Sequence, residues 1–583
     1  MEKAPFVSEA EKKAFWHSTS HVLADAVKRL WPDTKLGIGP AIDDGFYYDF
    51  DKKVPFTEAD LVKIESVMKK ITKEDKLFKE VFMARKEAEK FLAHEPYKLD
   101  LLKEISDKQV SFHQHGNFID MCNTPVIRSA GQIKAFKLLS IAGAYWRGDS
   151  NKKQMQRIYG ISFPDKEQLD EFLKLQVELE KRDHRKIGKQ LKLFHLAEEV
   201  GPGLPLWMPN GEVVRQILLN YMHDLEVNQG YRYVSTPHIT KSQLYLASGH
   251  LPYYKDDMYP PMKIDNEEYY LRPMNCPHHH MIYKQLVTSY RDLPLRLAEA
   301  GTVYRKEASG AAYGLMRVRA ITQNDSHIYC TKAQTKGEFI KVIELFREVY
   351  KTMGIKSFWF RLSLPDFKQK EKFAGDLKEW DWAADQIRLA AKACKVELRE
   401  VSGEAAFYGP KIDIQIKNVL GKEESIATSQ LDILIAKRMG LTYTNEKNEL
   451  EHPVIIHRAI LGSYERFVAF LIENYAGNFP LWLSPVQVKV LSFTDRNIKA
   501  CQKIEKELFE AGLRVESDYG NNTVDYKVRA AELEKIPYIL VIGDKEEEKG
   551  TIAVRKRGTA KVVFGVKLGA FVKQVRDEIG KKA

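Results

Sequence analysis

The chain has 583 residues, 44% of them hydrophobic, with five scattered cysteines and a formal net charge of +11. That length exceeds one hydrophobic core and predicts three or four domains. No run of about 18 apolar residues is present, which argues against a membrane-spanning helix, and the charged start MEKAPFVSEAEKKAFW lacks a secretory apolar segment.

Residues 15–31, FWHSTSHVLADAVKRLW, repeat apolar side chains at helical spacing. Turn-rich GIGPAIDDGFYYDF at 37–50 predicts strands. The charged stretch KEQLDEFLKLQVELEKRDHRKIGKQLK at 166–192 predicts one connecting helix. GPGLPLWMPNG reads as a loop before a helix from about Glu212 to Gln229 that Gly230 stops, and YRYVSTPHI reads as a strand. Residues 270–470 alternate short strands with helices and carry most of the candidate chemistry. From about Trp482 a βαβ-type domain is expected. Its strands are VQVKVLSF, LRVESDY, PYILVIG and a closing GTIAVRKRG, and its helices are NIKACQKIEKELFEAG and VDYKVRAAELEK. The few cysteines argue for a reducing cytoplasm rather than a disulfide framework. The positive charge fits ordinary solubility and an anionic partner such as nucleic acid equally well.

RPMNCPHHHMIYKQL at 272–286 raises the question of a metal. Adjacent His278, His279 and His280 fan out on a backbone and cannot all converge on one ion. Cys276, as a thiolate, is the best local ligand, with partners from elsewhere in the chain. No G-x-x-x-x-G-K-[ST] loop is present, and GIGPAI lacks the third small residue of a dinucleotide fingerprint. Arginines offer another way to hold phosphates. Arg305 and Glu307 alternate on a predicted strand, a glycine-containing loop follows, and Arg317 and Arg319 lie on a second predicted strand. HRAILGSYERF at 457–467 places Gly462 and Arg466 four apart on a predicted helix. Any one such arginine is ordinarily a surface ion pair; a set spread over strand, loop and helix is much less so.

These residues carry a resemblance. The Arg305-x-Glu307 hairpin and the Gly462–Arg466 segment resemble motifs two and three of class II aminoacyl-tRNA synthetases. GYRYVSTPHI with Pro237 resembles motif one, which builds a dimer interface in that class. PMNCP, SYRDLPLRLAE, GLMRVRAITQNDSHI, FYGPKID and GDKEEEKG narrow the resemblance to the threonyl-tRNA synthetases, over nearly the whole chain from His17 to about Arg557. The resemblance implies an α+β multidomain protein: an N-terminal α+β editing domain (1–165), a linker helix (166–190), a catalytic core on an antiparallel sheet (191–481) and a C-terminal α/β anticodon-binding domain (482–583). The ubiquitin-like domain that often precedes the editing domain is expected to be absent.

By the same resemblance, Cys276, His327 and His457 hold one zinc ion. Arg305 and Arg466 grip the α- and γ-phosphates of ATP, which comes with magnesium. Glu307 meets the adenine, Arg317 adds charge near the phosphate tail, and Gln430 serves the nucleotide and intermediate site. Met274, Gln323, Asp325, Tyr408, Lys411 and Ser463 bind substrate, with Asp325 accepting the threonine hydroxyl proton. Asn521, Glu546 and Arg555 read the anticodon. The implied partners are ATP, L-threonine and tRNA(Thr), in a cytoplasmic homodimer that does not use a membrane.

His17 and His21, four apart on one helix face, with Lys98, Asp120 and Cys122, resemble the editing site of threonyl- and alanyl-tRNA synthetases, which carries H-x-x-x-H and C-x-x-x-H pairs. AGAYWRGDSNKKQMQRIYG resembles the end of that domain. One departure stands out: the second motif ends in histidine, whereas this chain has Val126. Loss of one hydrogen bond predicts weakened but surviving hydrolysis of seryl-tRNA(Thr). His113 and His115, in FHQHGNFIDMC, offer a substitute for that polar residue, but the preferred reading of both is as exposed strand residues. A zinc hydrolase acting through His17, His21 and Cys122 alone leaves the arginine hairpin and the last domain unexplained. A non-catalytic RNA-binding paralogue is expected to lack one of Arg305, Arg466, Cys276, His327 or His457, and this chain has all five.

Overall fold

Helix α1 (Glu9–Leu30) starts where Ser8 accepts a hydrogen bond from Glu11 N, with Glu9 and Glu11 in its first turn and Lys28 and Arg29 in its last. Both charge pairs complement the helix dipole. The computed structural model describes residues 6, 8–149, 152–368, 373, 376–417 and 423–582. Residues 150 and 151 of the AGAYWRGDSNKKQMQRIYG segment lie outside the described residues. The chain divides into two units, Met1–Val177 and Glu178–Ala583.

In the first unit, strands β1 (Lys35–Leu36), β2 (Ala41–Ile42) and β3 (Gly45–Asp51) occupy the expected strand region. After helix α2 (Glu58–Glu74) come β4 (Phe78–Ala84), β5 (Gln109–His115) and β6 (Phe118–Met121), then β7 (Ala135–Tyr145) and β8 (Gln154–Phe163). One sheet runs β1-β3-β8-β7, with β2 beside β3; a smaller one runs β4-β5-β6. Apolar faces of α1 and α2 bury against the larger sheet, through residues such as Val22, Leu23, Ile64, Phe46 and Ile158. The smaller sheet has its own core around Leu102, Val110 and Phe112. His113 and His115 are not exposed: they retain 6% and 1% of their surface. Their strand turns this face inward, and His115 Nδ1 lies 3.8 Å from Asp25 of α1.

The connector expected as one helix is two, α3 (Lys166–Arg182) and α4 (His184–Gln190). Asp183 interrupts it by capping α4, accepting from Arg185 N at 2.7 Å. Helix α5 (Pro209–Asn228) starts three residues before Glu212, because Pro209 suits a first turn. Gly230 follows its end with φ +82°. The stretch YRYVSTPHI is a strand only at β9 (Arg232–Tyr233), with a further short strand at Ile239–Lys241; Pro237 has no N–H to give a ladder.

Next come α6 (Cys276–Leu286), β10 (Leu295–Tyr304), β11 (Ala320–Cys330), α7 (Thr335–Thr352), β12 (Phe358–Leu364), α8 (Leu377–Ala393), β13 (Leu398–Ser402), β14 (Lys411–Lys417), β15 (Glu423–Asp432), β16 (Val454–Ser463) and α9 (Tyr464–Tyr475). Among the described residues the central sheet has eight strands in the order β9-β10-β11-β16-β15-β14-β12-β13. It is antiparallel except where β9 and β13 join its two edges in parallel. Arg305 and Glu307 lie just beyond β10, and Arg317 and Arg319 just before β11, so none of them is on a strand. The hairpin still closes, because Arg305 N bonds Arg319 O at 3.0 Å. Gly462 is in β16, not in the helix, with φ +63°. A Cβ there would meet Ile426 O at 2.4 Å, so strand and helix join only through glycine.

The last segment is also longer than expected. Strands β17 (Val488–Ser492), β18 (Val515–Asp518), β19 (Tyr538–Ile542), β20 (Ile552–Lys556) and β21 (Val562–Val566) are joined by α10 (Ile498–Glu510), α11 (Val524–Leu533) and α12 (Asp544–Lys549), and α13 (Leu568–Gly580) follows. GTIAVRKRG does not close this region: β21 pairs with β20, and Phe571 and Val575 of α13 fill its core. The sheet is parallel at β18-β17-β19 and antiparallel from β19 to β21.

At the heart of the central sheet, Glu226 of α5 and Arg458 of β16 form a fully buried ion pair at 2.6 Å. Removing one partner of such a pair costs about 3–5 kcal/mol. Glu226→Ala is therefore expected to lower the unfolding midpoint of the second unit strongly; a midpoint close to that of the unsubstituted chain would show that the pair is dispensable.

Candidate active site and a second histidine–cysteine cluster

Neighbouring strands build the first site. On β11, Gln323, Asp325 and His327 are spaced by two and share one sheet face. His327 stands opposite His457 of β16, which has Gln430 of β15 opposite it on its other side. The two imidazole rings are 4.6 Å apart. Cys276 enters as the first residue of α6, and donor atoms of Cys276, His327 and His457, all buried, lie within 4.8 Å of one another. Residues 278–280 are not in that group. They lie near the start of α6, as its third to fifth residues, and all three are buried.

A cleft of about 780 Å³ opens over the trio, lined by Met274, Arg305, Gln323, Asp325, Tyr408, Lys411 and Gln430. The Tyr408 hydroxyl donates to Gln430, and its ring stacks on His457 at 5.1 Å. Asn275 holds one Asp325 oxygen at 3.0 Å, and Lys411 lies 3.1 Å from Asp413. Four expected residues are not among those lining the cleft. Glu307 and Arg317 pair with each other at 2.8 Å. Ser463 caps α9, its hydroxyl accepting from Arg466 N at 3.1 Å. Arg305 and Arg466 each leave a buried Nε without a partner among the described residues. Burial also pulls the Arg466 pKa below its ordinary value, a sign of a cation short of an anion.

The donor chemistry fits a metal ion. Burial pushes the Cys276 thiol well above its usual pKa, and Asp325 and Asp432 push the same way; a bound cation reverses both effects and favours the thiolate. Burial likewise keeps the His327 imidazole neutral. Its Nδ1 meets His279 Nδ1 at 2.8 Å, and His279 Nε2 meets Glu299 Oε2 at 3.1 Å. Burial would raise the Glu299 pKa, but His279, Arg272 and Thr236 hold it at about 2. The carboxylate therefore accepts Nε2–H of His279, whose Nδ1 accepts Nδ1–H of His327. Nε2 of His327 is left bare for a ligand bond. Asp432 holds His457 Nε2 at 3.1 Å, leaving Nδ1. The sequence reading missed His279 and Asp432. For His279 a signal existed: three residues after Cys276 on a helix, the two share a face.

The second cluster is in the first unit. Donor atoms of His17, His21 and Cys122 also lie within 4.8 Å of one another, but here they bond one another. His17 Nε2 lies 2.9 Å from Cys122 Sγ and 3.1 Å from His21 Nε2. His17 Nδ1 donates to Gly39 O at 2.8 Å, so its Nε2 is an acceptor in the neutral ring; burial lowers its pKa. Asp120 meets Lys98 at 2.6 Å and His21 at 3.3 Å, and accepts from the Tyr48 hydroxyl at 2.6 Å. Burial works against its charge, yet Lys98 and His21 hold its pKa well below the usual carboxylate range. Burial also opposes the Cys122 thiolate, but His21 and the Thr124 N–H bring its pKa below the ordinary value. Val126 is half-buried, and the next residue, Ile127, donates its N–H to Ser18 at 2.9 Å.

Three family models match. One is the tRNA synthetase class II core domain (G, H, P, S and T), at 260–475. The others are the anticodon binding domain, at 486–578, and the threonyl and alanyl tRNA synthetase second additional domain, at 110–159. Threonine–tRNA ligase of Listeria monocytogenes serotype 4a is 47% identical, over 97% of this chain and 89% of its own. The chain belongs to the threonine–tRNA ligases. That of Halalkalibacterium halodurans is 46% identical, over 97% of this chain and 88% of its own. A solved structure, the RNA binding domain of threonyl-tRNA synthetase from Cryptosporidium parvum, is 34% identical. It superposes with a TM-score of 0.63, covering 68% of this chain and 98% of that one.

As a class II threonine–tRNA ligase the protein takes ATP, an amino acid and tRNA, and its second additional domain supports editing of mischarged tRNA. No described helix is long and apolar enough to cross a membrane. Asn521 is exposed on the loop after β18, Glu546 is on α12 and Arg555 on β20. No hydrogen bond or ion pair joins these three among the described residues. Glu546 spends an oxygen on Gly543 N at 3.2 Å, and Arg555 lies 3.8 Å from Glu532.

Proposed function

We propose that the cleft over Cys276, His327 and His457 activates L-threonine with ATP, and that zinc is the ion these residues hold. The observation that carries this reading is the trio itself: a thiol and two imidazoles within reach of one ion, beneath a cleft that also receives Arg305, Gln323 and Asp325. Three protein ligands leave a position open to substrate. Held by Cys276, His327 and His457, a zinc ion would supply Lewis acidity to the substrate's polar groups.

The chain's own residues do the rest. Asp325, with one oxygen held by Asn275, accepts the substrate hydroxyl proton in a hydrogen bond. Valine offers no such hydroxyl, and a site built around one rejects that analogue by roughly 10⁴-fold. Met274, Gln323, Tyr408 and Lys411 complete the substrate pocket, Ser463 is assigned to substrate from outside the cleft lining, at the cap of α9, and Gln430 serves the nucleotide and intermediate. Arg305 takes the α-phosphate and Arg466 the γ-phosphate, filling the unpartnered Nε positions of both; magnesium accompanies the ATP. Glu307 meets the adenine and Arg317 the phosphate tail once their mutual pair opens. Arg317 keeps 59% of its side-chain surface, so opening that pair costs at most about 1 kcal/mol. The threonine carboxylate then attacks the α-phosphate, pyrophosphate leaves, and the terminal ribose of tRNA(Thr) takes the threonyl group. Positioning and electrostatics dominate such a reaction.

Serine lacks only a methyl group, worth about 1–3 kcal/mol, so it enters the same cleft. We assign hydrolysis of seryl-tRNA(Thr) to His17, His21, Lys98, Asp120 and Cys122. The assignment divides the chain into an editing domain (1–165), a linker (166–190), a catalytic domain (191–481) and an anticodon-binding domain (482–583) that reads tRNA through Asn521, Glu546 and Arg555. The working form is a cytoplasmic homodimer.

Cys276→Ala is expected to lose its zinc, by metal analysis of the purified chain, and with it threonine-dependent pyrophosphate exchange; full zinc occupancy in the variant sinks the ligand assignment. Arg305→Ala is expected to lower exchange by about 100-fold or more at an unchanged unfolding midpoint; near-normal exchange removes its phosphate role. His17→Ala is expected to slow deacylation of preformed seryl-tRNA(Thr) by about 100-fold while threonylation stays intact. A deacylation rate like that of the unsubstituted chain takes His17 out of the hydrolytic site.

A further inference from the structure

We propose that His113 is a working imidazole of the hydrolytic centre, with its Nδ1 positioning the water that attacks the seryl ester. The proposal rests on the editing assignment made above for His17, His21 and Cys122.

Three observations carry it. The first is placement. His113 of β5 stands directly opposite Asp120 of β6, so the two side chains share one face of the small sheet. Cys122, two residues beyond Asp120, continues that line, with its N–H bonded to Ser111 O at 3.1 Å. The second is proximity: the His113 and His21 rings are 6.0 Å apart, inclined at 68°. The third is a committed tautomer. Nε2 of His113 lies 2.8 Å from Thr124 O; a carbonyl oxygen only accepts, so Nε2 carries the proton. In the neutral ring Nδ1 is then a bare acceptor, and it is buried with no partner among the described residues. Burial, reinforced by His21, lowers the His113 pKa and so favours that neutral ring.

A buried acceptor without a donor is costly, and here it sits beside a thiol and two imidazoles. His17 spends both ring nitrogens, on Gly39 and on Cys122 and His21, while His21 Nδ1 makes no hydrogen bond but lies 3.3 Å from Asp120. Of the ring nitrogens of His17, His21 and His113, only Nδ1 of His113 has neither a hydrogen bond nor an ion pair among the described residues, which leaves it for a ligand. Its partner is a water. One O–H of that water donates to Nδ1 while its oxygen adds to the ester carbonyl carbon. The bond from that carbon to the ribose oxygen breaks, and the water's proton ends on the departing ribose hydroxyl, releasing serine and free tRNA. A valine at 126 has no polar atom with which to do this work; His113 reaches the centre from the neighbouring strand.

The test separates ring volume from acceptor. His113→Phe keeps the ring and removes both nitrogens; His113→Asn gives up the ring but keeps an acceptor near Nδ1. Deacylation of preformed seryl-tRNA(Thr) by the full chain is expected to fall about tenfold or more in the Phe variant and to stay within about threefold in the Asn variant. Threonylation and the unfolding midpoint are expected to be unchanged in both. If the Phe variant unfolds, His113→Leu takes its place with the same expectation. Deacylation by the apolar variant within twofold of the unsubstituted chain overturns the proposal, as does an Asn variant as slow as the apolar one, which marks a packing role. His17→Ala is the control. If it loses deacylation while His113→Phe keeps it, only this inference fails. If the unsubstituted chain hydrolyses no faster than buffer, the editing assignment falls and this inference with it.

Discussion

The floor of the cleft over Cys276, His327 and His457 hangs on one buried ion pair. Glu226 of α5 reaches Arg458 of β16 at 2.6 Å, and both side chains are wholly out of solvent. Around them, Asn324 of β11 donates to Glu226 at 3.0 Å, the Tyr233 hydroxyl donates to it at 2.5 Å, and the Arg458 guanidinium lies 4.3 Å from the Tyr231 ring. Replacing such a pair with apolar side chains often costs nothing, so its value lies in specification rather than net stability. Strand alternation explains what it specifies. Asn324 and Arg458 face the helix side, so their neighbours Asp325 and His457 face the cleft. A one-residue slip of either strand would bury the donors and expose the ion pair.

A second constraint acts on protons. An imidazole ligates only through an unprotonated nitrogen, so a metal site must choose the tautomer of every histidine beforehand. The file Glu299–His279–His327 does this by hydrogen bonds alone, and its starting point is secured by Arg272 and Thr236 around Glu299. Asp432 does the same for His457 and also receives the N–H groups of Leu434 and Ile435, which keep it from turning away. Three histidines in a row thus look like a metal motif and are not one. Only the middle member touches a donor of the trio, and it does so from behind.

The helical H-x-x-x-H was legible from periodicity alone, because residues four apart share a helix face. Gln323, Asp325 and His327 came from the resemblance, and their alternation along β11 explains why they line one cleft. Cys276 was legible locally as a thiolate, but its partners His327 and His457 came from resemblance, since no local rule links residues as far apart as Cys276 and His457, 181 positions. What failed was the end of each element. Arg305, Glu307, Arg317 and Arg319 alternate as strand residues do, yet sit beyond the ends of β10 and β11. Asp183 split a pattern whose helical period ran on unbroken, because a cap is a side-chain bond and not a periodicity. Gly462 was placed in a helix four residues from Arg466, whereas its left-handed backbone marks the turn into that helix. His113 and His115 were misjudged for a different reason. In a three-stranded sheet the inward face is set by what packs on it, and the polar string FHQH carries no apolar alternation from which to read that face.

The two histidine–cysteine clusters show how little donor identity says about chemistry. Each has one cysteine and two histidines within 4.8 Å. In the catalytic trio the spare nitrogens are tied off by Asp432 and His279, so the other nitrogens and the thiol face one another with no hydrogen bond between them. Two carboxylates, Asp325 and Asp432, raise the Cys276 pKa, an electrostatic setting that favours a cation. In the first unit the donors are spent on one another at hydrogen-bonding distance, and a cation is already in place: the Lys98 ammonium, 2.6 Å from Asp120. Burial is what chiefly lowers the His17 pKa, with the Gly39 carbonyl and Asp120 acting against it and Lys98 with it. The same side chains thus meet different settings: two carboxylates act on the Cys276 thiol in one unit, and a lysine is paired with the carboxylate beside the cluster in the other.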